Sequence, residues 1–242
     1  MLEKDENRLI RKSTGQLSWL ASQTRPDLAF DALNLSVCLN SATFKDAKYS
    51  KKVVQKAKEE KYSIKFSHLG NYEDLHFQVF PDASLGNVEC HSETKSVMGS
   101  FVCLGNKNLE ICPLSWKSKI IDKVAEDIKS AETLALETSV DDTVYLASML
   151  SEIYKGHTNN KLPIIIKEDS KGLVESLYST KKVKRKTMRV VISSIQQYMK
   201  NGTIKDVHHV SSKDQLGDVF TKKGVSSNNI IRTVSQGILD PL

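Results

Sequence analysis

With 242 residues, 39% hydrophobic and 26% charged, the chain can build one sizeable core or two smaller ones and has the composition of an ordinary soluble globular protein. No apolar run approaches the ~20 residues of a membrane helix, and no apolar signal region follows the start Met-Leu-Glu-Lys-Asp-Glu, so an intracellular chain without a membrane partner is expected. The net charge of +6 points instead to polyanionic partners.

Residues 7–61 read as three helices. "NRLIRKSTGQLSWLA" places Leu9, Ile10, Leu17, Leu20 and Ala21 at helical spacing. "TRPDLAFDALNLSVCLN" follows, with Pro26 suited to a first helical position. "ATFKDAKYSKKVVQKAKEEKY" is amphipathic and basic. Near residue 62 the period changes. "YSIKFSHL" and "LHFQVFPDAS" alternate like half-buried strands, and "SVMGSFVCLGN" and "LEICPLSWKS" follow across the turn-prone Gly105-Asn106, which suggests an antiparallel meander. A long helix is expected from about Val124 to Lys155, and "LPIIIKED" reads as a strand buried on both faces. Helices at Gly172–Tyr178 and Arg185–Asn201, a strand at Thr203–Val210 and a last helix at Lys213–Thr221 complete the order. The tail after Gly224 carries no clear pattern. The four cysteines (Cys38, Cys90, Cys103, Cys112) form no CxxC pair and fit free thiols.

The expected architecture is α/β: a mixed five-stranded sheet flanked by helices, preceded by a small all-helical segment. The division is 1–68, then 69–224, then a tail at 225–242.

Four carboxylates stand at comparable places. Asp82 closes the first strand, in "VFPDAS". Asp169 follows the buried strand, in "IIIKEDSK", and Asp218 lies in "DQLGDVFTK". Glu132 opens the long helix, in "KSAETLALETSVDD". At 3.6 residues per turn Leu136, Ser139, Thr143, Leu146 and Leu150 fall within roughly 40° of Glu132, and Ile153 near 60°, so this carboxylate lies on the apolar stripe. Asp141 points away and Asp142 lies on the flank. Sites in α/β sheets form at the carboxyl ends of strands. Converging carboxylates repel one another and need divalent cations, and oxygen-only ligands suit Mg²⁺ or Mn²⁺. Each acid alone reads more readily as a surface charge or a helix cap than as a metal ligand. Glu168, beside Asp169, is expected on the other side of its strand.

"RKSTGQLSWLASQTRPDLAFDALNLS", "LSWKSK", "SAETLAL" and "HHVSSKDQLGDVFTKKG", in this order and at these distances, resemble the copia-type retrotransposon polyprotein, at the end of its reverse transcriptase and through its ribonuclease H domain. The resemblance spans about Leu9 to Gly224. It implies a ribonuclease H-like sheet in residues 69–224, after a helical reverse-transcriptase tail in 1–68 that holds no polymerase site. It implies that Asp82, Glu132, Asp169 and Asp218 are the catalytic ligands of two Mg²⁺ ions, with Mn²⁺ as a substitute. The implied reaction is hydrolysis of the RNA strand of an RNA–DNA hybrid; the implied partner is the remainder of the polyprotein with its reverse transcriptase palm, in a cytoplasmic virus-like particle. Several positions depart from the family pattern. "PDASLGN" lacks a second acid and a tryptophan, Ser130 replaces a glutamate, Met188 replaces a histidine, and "DSK" places Lys171 close to the expected metals.

The basic run "KKVKRKTMR" gives Lys181, Lys182, Lys184, Arg185 and Lys186 as expected phosphate contacts, with Lys117 and Lys119 of "SWKSK". A solvated face is the other reading of that run. His208 and His209 sit on a strand and face opposite ways, which favours structural roles. "SVDDTVYL" lies on a helix, unlike the paired aspartates of polymerases. An integrase would place its glutamate after both aspartates, whereas Glu132 comes second. The alternative reading is a degenerate or domesticated element remnant that binds nucleic acid without catalysis.

Overall fold

The computed structural model describes residues 3–90, 93–154, 162–180, 183 and 185–240. Three helices come first: α1 (Lys4–Gln23), α2 (Ala29–Val37) and α3 (Phe44–Glu59). Their inward residues Leu17, Ala21, Leu28, Ala32, Leu35 and Val53 close a small core. α3 starts where it does because Asp46 accepts from the Thr43 backbone N–H at 2.8 Å, satisfying a donor the helix cannot.

"TRPD" forms the joint between α1 and α2. Pro26 opens a single 3-10 turn (Pro26–Leu28), and the flanking Arg25 and Asp27 are buried against each other. Arg25 Nε and Nη2 donate to the two Asp27 oxygens at 2.7 and 2.8 Å, and Nη1 donates to the Ala57 and Glu60 carbonyls at the end of α3. The Tyr62 hydroxyl donates to Asp27 at 2.5 Å. Burial alone would raise the Asp27 pKa, but the bonds from Arg25 and Tyr62 hold it below the ordinary carboxylate range. Arg25→Ala strands a buried carboxylate and should cost about 3–5 kcal/mol in urea unfolding. The double variant Arg25→Ala/Asp27→Ala should cost less than that single change; an equal or larger cost would show that the pair is not the source.

The sheet has the order β3-β2-β1-β4-β5. β1 (His76–Cys90), β2 (Glu93–Gly105) and β3 (Ile111–Ile120) run antiparallel, and β4 (Ile164–Glu168) and β5 (Ile204–His209) add in parallel beside β1. This is the expected mixed five-stranded sheet. Alternation along β1 sends Phe77 and Val79 to one face and Phe80 to the other. On the first face they meet Leu136 and Val140 of α4 (Ile128–Ile153), Leu173 of α5 (Lys171–Tyr178), and Ile192 and Ile195 of α6 (Lys186–Lys200). On the second face Phe80, Phe101 and Ile111 pack against Leu216, Phe220, Ile230 and Val234.

Two expectations are corrected, and the tail, which carries no clear pattern in sequence, gains an element. "YSIKFSHL" is not a strand; it runs outside the sheet, where the Lys65 N–H and Ser67 hydroxyl bond the Val234 and Gly237 carbonyls. The helix expected at Lys213–Thr221 shrinks to a 3-10 turn at Leu216–Phe220, because the Gln215 side chain accepts from the Gly217 N–H and sets its start. The tail forms α7 (Asn228–Gln236), whose Ile230 and Val234, four apart, are fully in the second core.

The helical segment also packs on the sheet. Phe30 is buried with Val88 and Val97, while Ala29, Tyr62 and Ile64 border the Phe80–Phe101–Phe220 core. Trp116 of β3 donates its indole N–H to the Ala21 carbonyl at 2.7 Å. Cys38, Cys103 and Cys112 form no disulfide among the described residues. No helix among the described residues is long and apolar enough to cross a membrane.

Candidate metal centre

β1 and β4 lie side by side in parallel, and their last paired residues are Val79 and Ile166. Beyond that pairing the two strands separate, as at a site-forming sheet end. Asp82 lies three residues past Val79, and Asp169 directly follows β4. The strand was expected to close at Asp82, but β1 continues to Cys90 with β2 alone, through an irregularity between Ser84 and Val88. Asp218 arrives from the 3-10 turn. Carboxylate oxygens of Asp82, Asp169 and Asp218 lie within 4.8 Å of one another.

Two glycines let the turn come this close. Gly99 pairs with Asp82 across β1 and β2, and a Cβ on it would sit 2.7 Å from Phe220 Cβ and 2.8 Å from the Gly217 carbonyl. A Cβ on Gly217 would sit 2.7 Å from Asp82 Cβ and 3.0 Å from the Phe80 carbonyl. Gln215 fixes the turn from the other side, its amide donating to the Pro81 carbonyl at 2.9 Å and the Lys167 carbonyl at 3.1 Å, so that one side chain bridges β1 and β4. Gly217→Ala should therefore cost about 1–3 kcal/mol and weaken Mn²⁺ binding, since the atoms it meets cannot step aside. Thermal unfolding with and without Mn²⁺ checks this; an unchanged Mn²⁺ response would mean that the turn tolerates a methyl group.

Glu132 is half-buried in the second turn of α4, whose start is capped by Asp127 accepting from the Ser130 N–H at 2.7 Å. Burial raises its pKa, a hydrogen bond from the Ser170 side chain lowers it, and the Asp169 charge raises it further. Glu132 thus borders the aspartate trio on the α4 side. Leu136, Ser139 and Thr143 of the expected stripe are buried, but Ile153 is 71% exposed because α4 outruns the sheet.

Glu168 is a correction. It does not point away: it is in phase with the buried Ile164 and Ile166, is 1% exposed, and feels Glu132, Asp169 and Asp82. Burial first, and those neighbours next, hold its carboxyl well above the ordinary range. Alternation from the two isoleucines could have located it.

Asp82 is 3% exposed, and its pKa is pushed up to about 7, chiefly by burial and then by Asp218 and Asp169; Lys222 and the Thr221 hydroxyl oppose the rise. The Lys222 ammonium pairs with Asp218 and lies 3.7 Å from Asp82 Oδ2, while Thr221 Oγ1 donates to the same oxygen. Lys222 is thus the cation at the cluster, in the place expected of Lys171, which is exposed at the start of α5. The donor set fits a divalent cation: it offers carboxylate oxygens alone, three of them from aspartates within 4.8 Å of one another, against a single lysine ammonium. Metal affinity should rise as pH climbs through about 7, because the metal competes with the Asp82 proton. Mn²⁺ titrations at pH 6 and pH 8 check this, and equal affinities would rule it out.

The rim is mixed. Ser212 donates to Asp169 Oδ2 at 3.0 Å, and a His209 ring nitrogen lies 3.1 Å from the Asp169 carbonyl, so His209 is at the site's edge. His208 faces Asp206 instead, at 3.3 Å. Lys117 pairs with Asp142, Lys119 with Asp122 at 2.7 Å, and Arg185 with Glu126 and Asp127 at 3.0 and 3.3 Å. Lys186 is exposed at the first position of α6. Lys181, Lys182 and Lys184 lie outside the described residues.

No protein-family model matches the chain, and no curated protein sequence does. Among solved structures, LC11-RNase H1 from a compost metagenome is similar over 60% of this chain and 92% of its own, at 16% identity and a TM-score of 0.44. The N-terminal RNase H domain of a Mycobacterium tuberculosis protein is similar over 67% of this chain and 97% of its own, at 15% identity and a TM-score of 0.42. The protease-reverse transcriptase of prototype foamy virus is similar over 83% of this chain and 28% of its own, at 12% identity and a TM-score of 0.40.

Proposed function

We propose that the chain is the ribonuclease H part of a copia-like polyprotein and hydrolyses the RNA strand of an RNA–DNA hybrid. The observation that carries this reading is the Asp82–Asp169–Asp218 convergence at the separating ends of two parallel strands, with Glu132 beside it. Asp82, Glu132, Asp169 and Asp218 would hold two Mg²⁺ ions, with Mn²⁺ as a substitute. Bound there, the metals supply a nucleophilic water and charge stabilisation at the leaving oxygen.

The chain's own groups supply placement. Asp82 must give up its proton to bind metal, and burial ensures that the freed charge is poorly screened. Thr221 and Ser212 aim the Asp82 and Asp169 carboxylates by donating to one oxygen of each. Burial raises the Glu168 pKa well above the ordinary range, which lessens the repulsion it adds. Lys117, Lys119, Arg185 and Lys186, with Lys181, Lys182 and Lys184, are the proposed phosphate contacts. Lys117, Lys119 and Arg185 would exchange acidic partners for phosphates on binding. Backbone contacts of this kind position a duplex without reading its sequence. Residues 1–68 form the helical tail of the reverse transcriptase, 69–224 the nuclease part and 225–242 a C-terminal extension. The remaining partner is the polyprotein's reverse transcriptase palm.

The test is cleavage of an end-labelled RNA–DNA hybrid by the purified chain with Mg²⁺ and with EDTA, single-stranded RNA serving as control. Mg²⁺-dependent cutting of the hybrid alone is expected. Tight hybrid binding without any cutting would replace the proposal by the non-catalytic element remnant.

A further inference from the structure

The cluster of carboxylates contains a cation of its own. Lys222 follows Asp218 by one turn, its backbone N–H donating to the Asp218 carbonyl at 3.1 Å, which directs the side chain back over the site. Its ammonium pairs with the Asp218 carboxylate, lies 3.7 Å from Asp82 Oδ2, and is felt by Asp169 and Glu132. All four proposed metal ligands therefore share one lysine. Other lysines pair elsewhere: Lys117 with Asp142, Lys119 with Asp122 and Lys123 with Glu137. Lys129 is also felt by Glu132, but its ammonium donates to the Gly172 carbonyl and the Ser176 hydroxyl and, among the described residues, reaches none of the three aspartates.

We propose that Lys222 is a resident counter-ion which a divalent cation must displace, so that this lysine sets the metal concentration at which the site loads. An ammonium and a dication cannot share the Asp82–Asp218 oxygens, because their repulsion in a buried site is only partly screened. Displacement is sterically open. The Lys222 side chain is 36% exposed and hangs on a flexible four-carbon stem, so the ammonium can swing into water while the backbone stays put. Without metal the same ammonium relieves the mutual repulsion of three carboxylates and keeps the 3-10 turn against β1. The inference rests on the metal-binding reading of the site, and deepens it by naming what regulates loading.

The experiment titrates Mn²⁺ into the full chain by calorimetry at pH 8, comparing wild type with Lys222→Met and Lys222→Arg, and follows thermal unfolding in EDTA. Lys222→Met should bind Mn²⁺ at least about tenfold more tightly, a conservative share of the repulsion between such charges about 4 Å apart. In EDTA it should melt below wild type. Lys222→Arg, which keeps charge and fold, should bind no more tightly than wild type. Equal or weaker Mn²⁺ binding by Lys222→Met, or equal tightening by both variants, overturns the inference while leaving the metal site and hybrid cleavage intact. Absence of Mn²⁺ binding in wild type and in both variants overturns the inference and the metal-binding reading together. Should Lys222→Met not fold in EDTA, refolding it with Mn²⁺ and measuring metal release on dilution gives the same comparison.

Discussion

Replacing Asp82 by asparagine should abolish metal-dependent cleavage and, in EDTA at pH 8, should make the protein more stable. The first effect follows from losing a charged ligand at the centre of the trio. At about 4 kcal/mol of transition-state stabilisation, the loss is ~10³-fold or more. The second follows from where Asp82 sits. Its pKa in the folded protein, about 7, is well above the unfolded value, so the folded state binds the proton more tightly than the unfolded chain does. That preference stabilises the fold fully below the unfolded pKa near ~4, and it is lost as pH rises through about 7. Wild type should therefore weaken between pH 5 and pH 8 by an amount on the order of a few kcal/mol. Asp82→Asn, neutral throughout, should lose that slope. Denaturant unfolding at both pH values reads it directly. If the variant keeps the wild-type slope, Asp82 is not the group that strains the metal-free fold.

The contrast with the outer acids of α4 follows from the same geometry. Asp141 is exposed, and Asp142 pairs with Lys117 away from the trio. Neither borders Asp82, whereas Glu132, ten residues before Asp142, does border Asp169. One helix thus carries a carboxylate with a proposed part in chemistry and others that serve its surface, and phase about the axis separates them.

Phase also makes the sheet legible. The continuous run Ile164, Ile165, Ile166 announces a strand buried in the middle of the sheet, and the alternation in "LHFQVFPDAS" announces another. The same signal is present at Glu168, where the adjacent Asp169 masks it. Periodicity fails where the backbone finds its partners at long range. "YSIKFSHL" alternates like a strand, yet its Lys65 N–H and Ser67 hydroxyl are satisfied by the C-terminal end of α7, some 170 residues away in sequence for Ser67 and Gly237. The last expected helix fails for a related reason. Gln215 and Gly217 have ordinary local preferences, and the 3-10 turn there depends on the Gln215 cap, which also bridges β1 and β4, and on the close approach to Asp82 that leaves no room for a Cβ. Lys222 is not legible as a site residue because nothing local in "DVFTKKG" distinguishes it from Lys223, and only the approach of the turn to Asp82 brings its ammonium to the cluster.

Removing residues 1–68 should do more than trim a neighbouring unit. α1, α2 and α3 have a small core of their own, but α2 also packs on the sheet through Phe30, and the end of α1 accepts the Trp116 indole N–H. Without Phe30, the buried Val88 and Val97 face water, and deleting that ring alone, as Phe30→Ala in the full chain, should cost about 3–5 kcal/mol. Without Ala29, Tyr62 and Ile64, the border of the Phe80–Phe101–Phe220 core opens, and the Val234 carbonyl of α7 loses the Lys65 N–H. Domains of this size are stable by only about 5–15 kcal/mol, so these losses together approach the whole. A chain beginning at Asn71 should therefore be insoluble or melt far below the full chain. Any folded fraction should bind Mn²⁺ poorly, because Phe220 anchors the turn that presents Asp218 to Asp82. Circular dichroism melts of the truncated and full chains, with and without Mn²⁺, decide the matter. A truncated chain with the full chain's melting temperature and Mn²⁺ shift would mean that 69–224 folds and builds its metal centre without the helices beneath it.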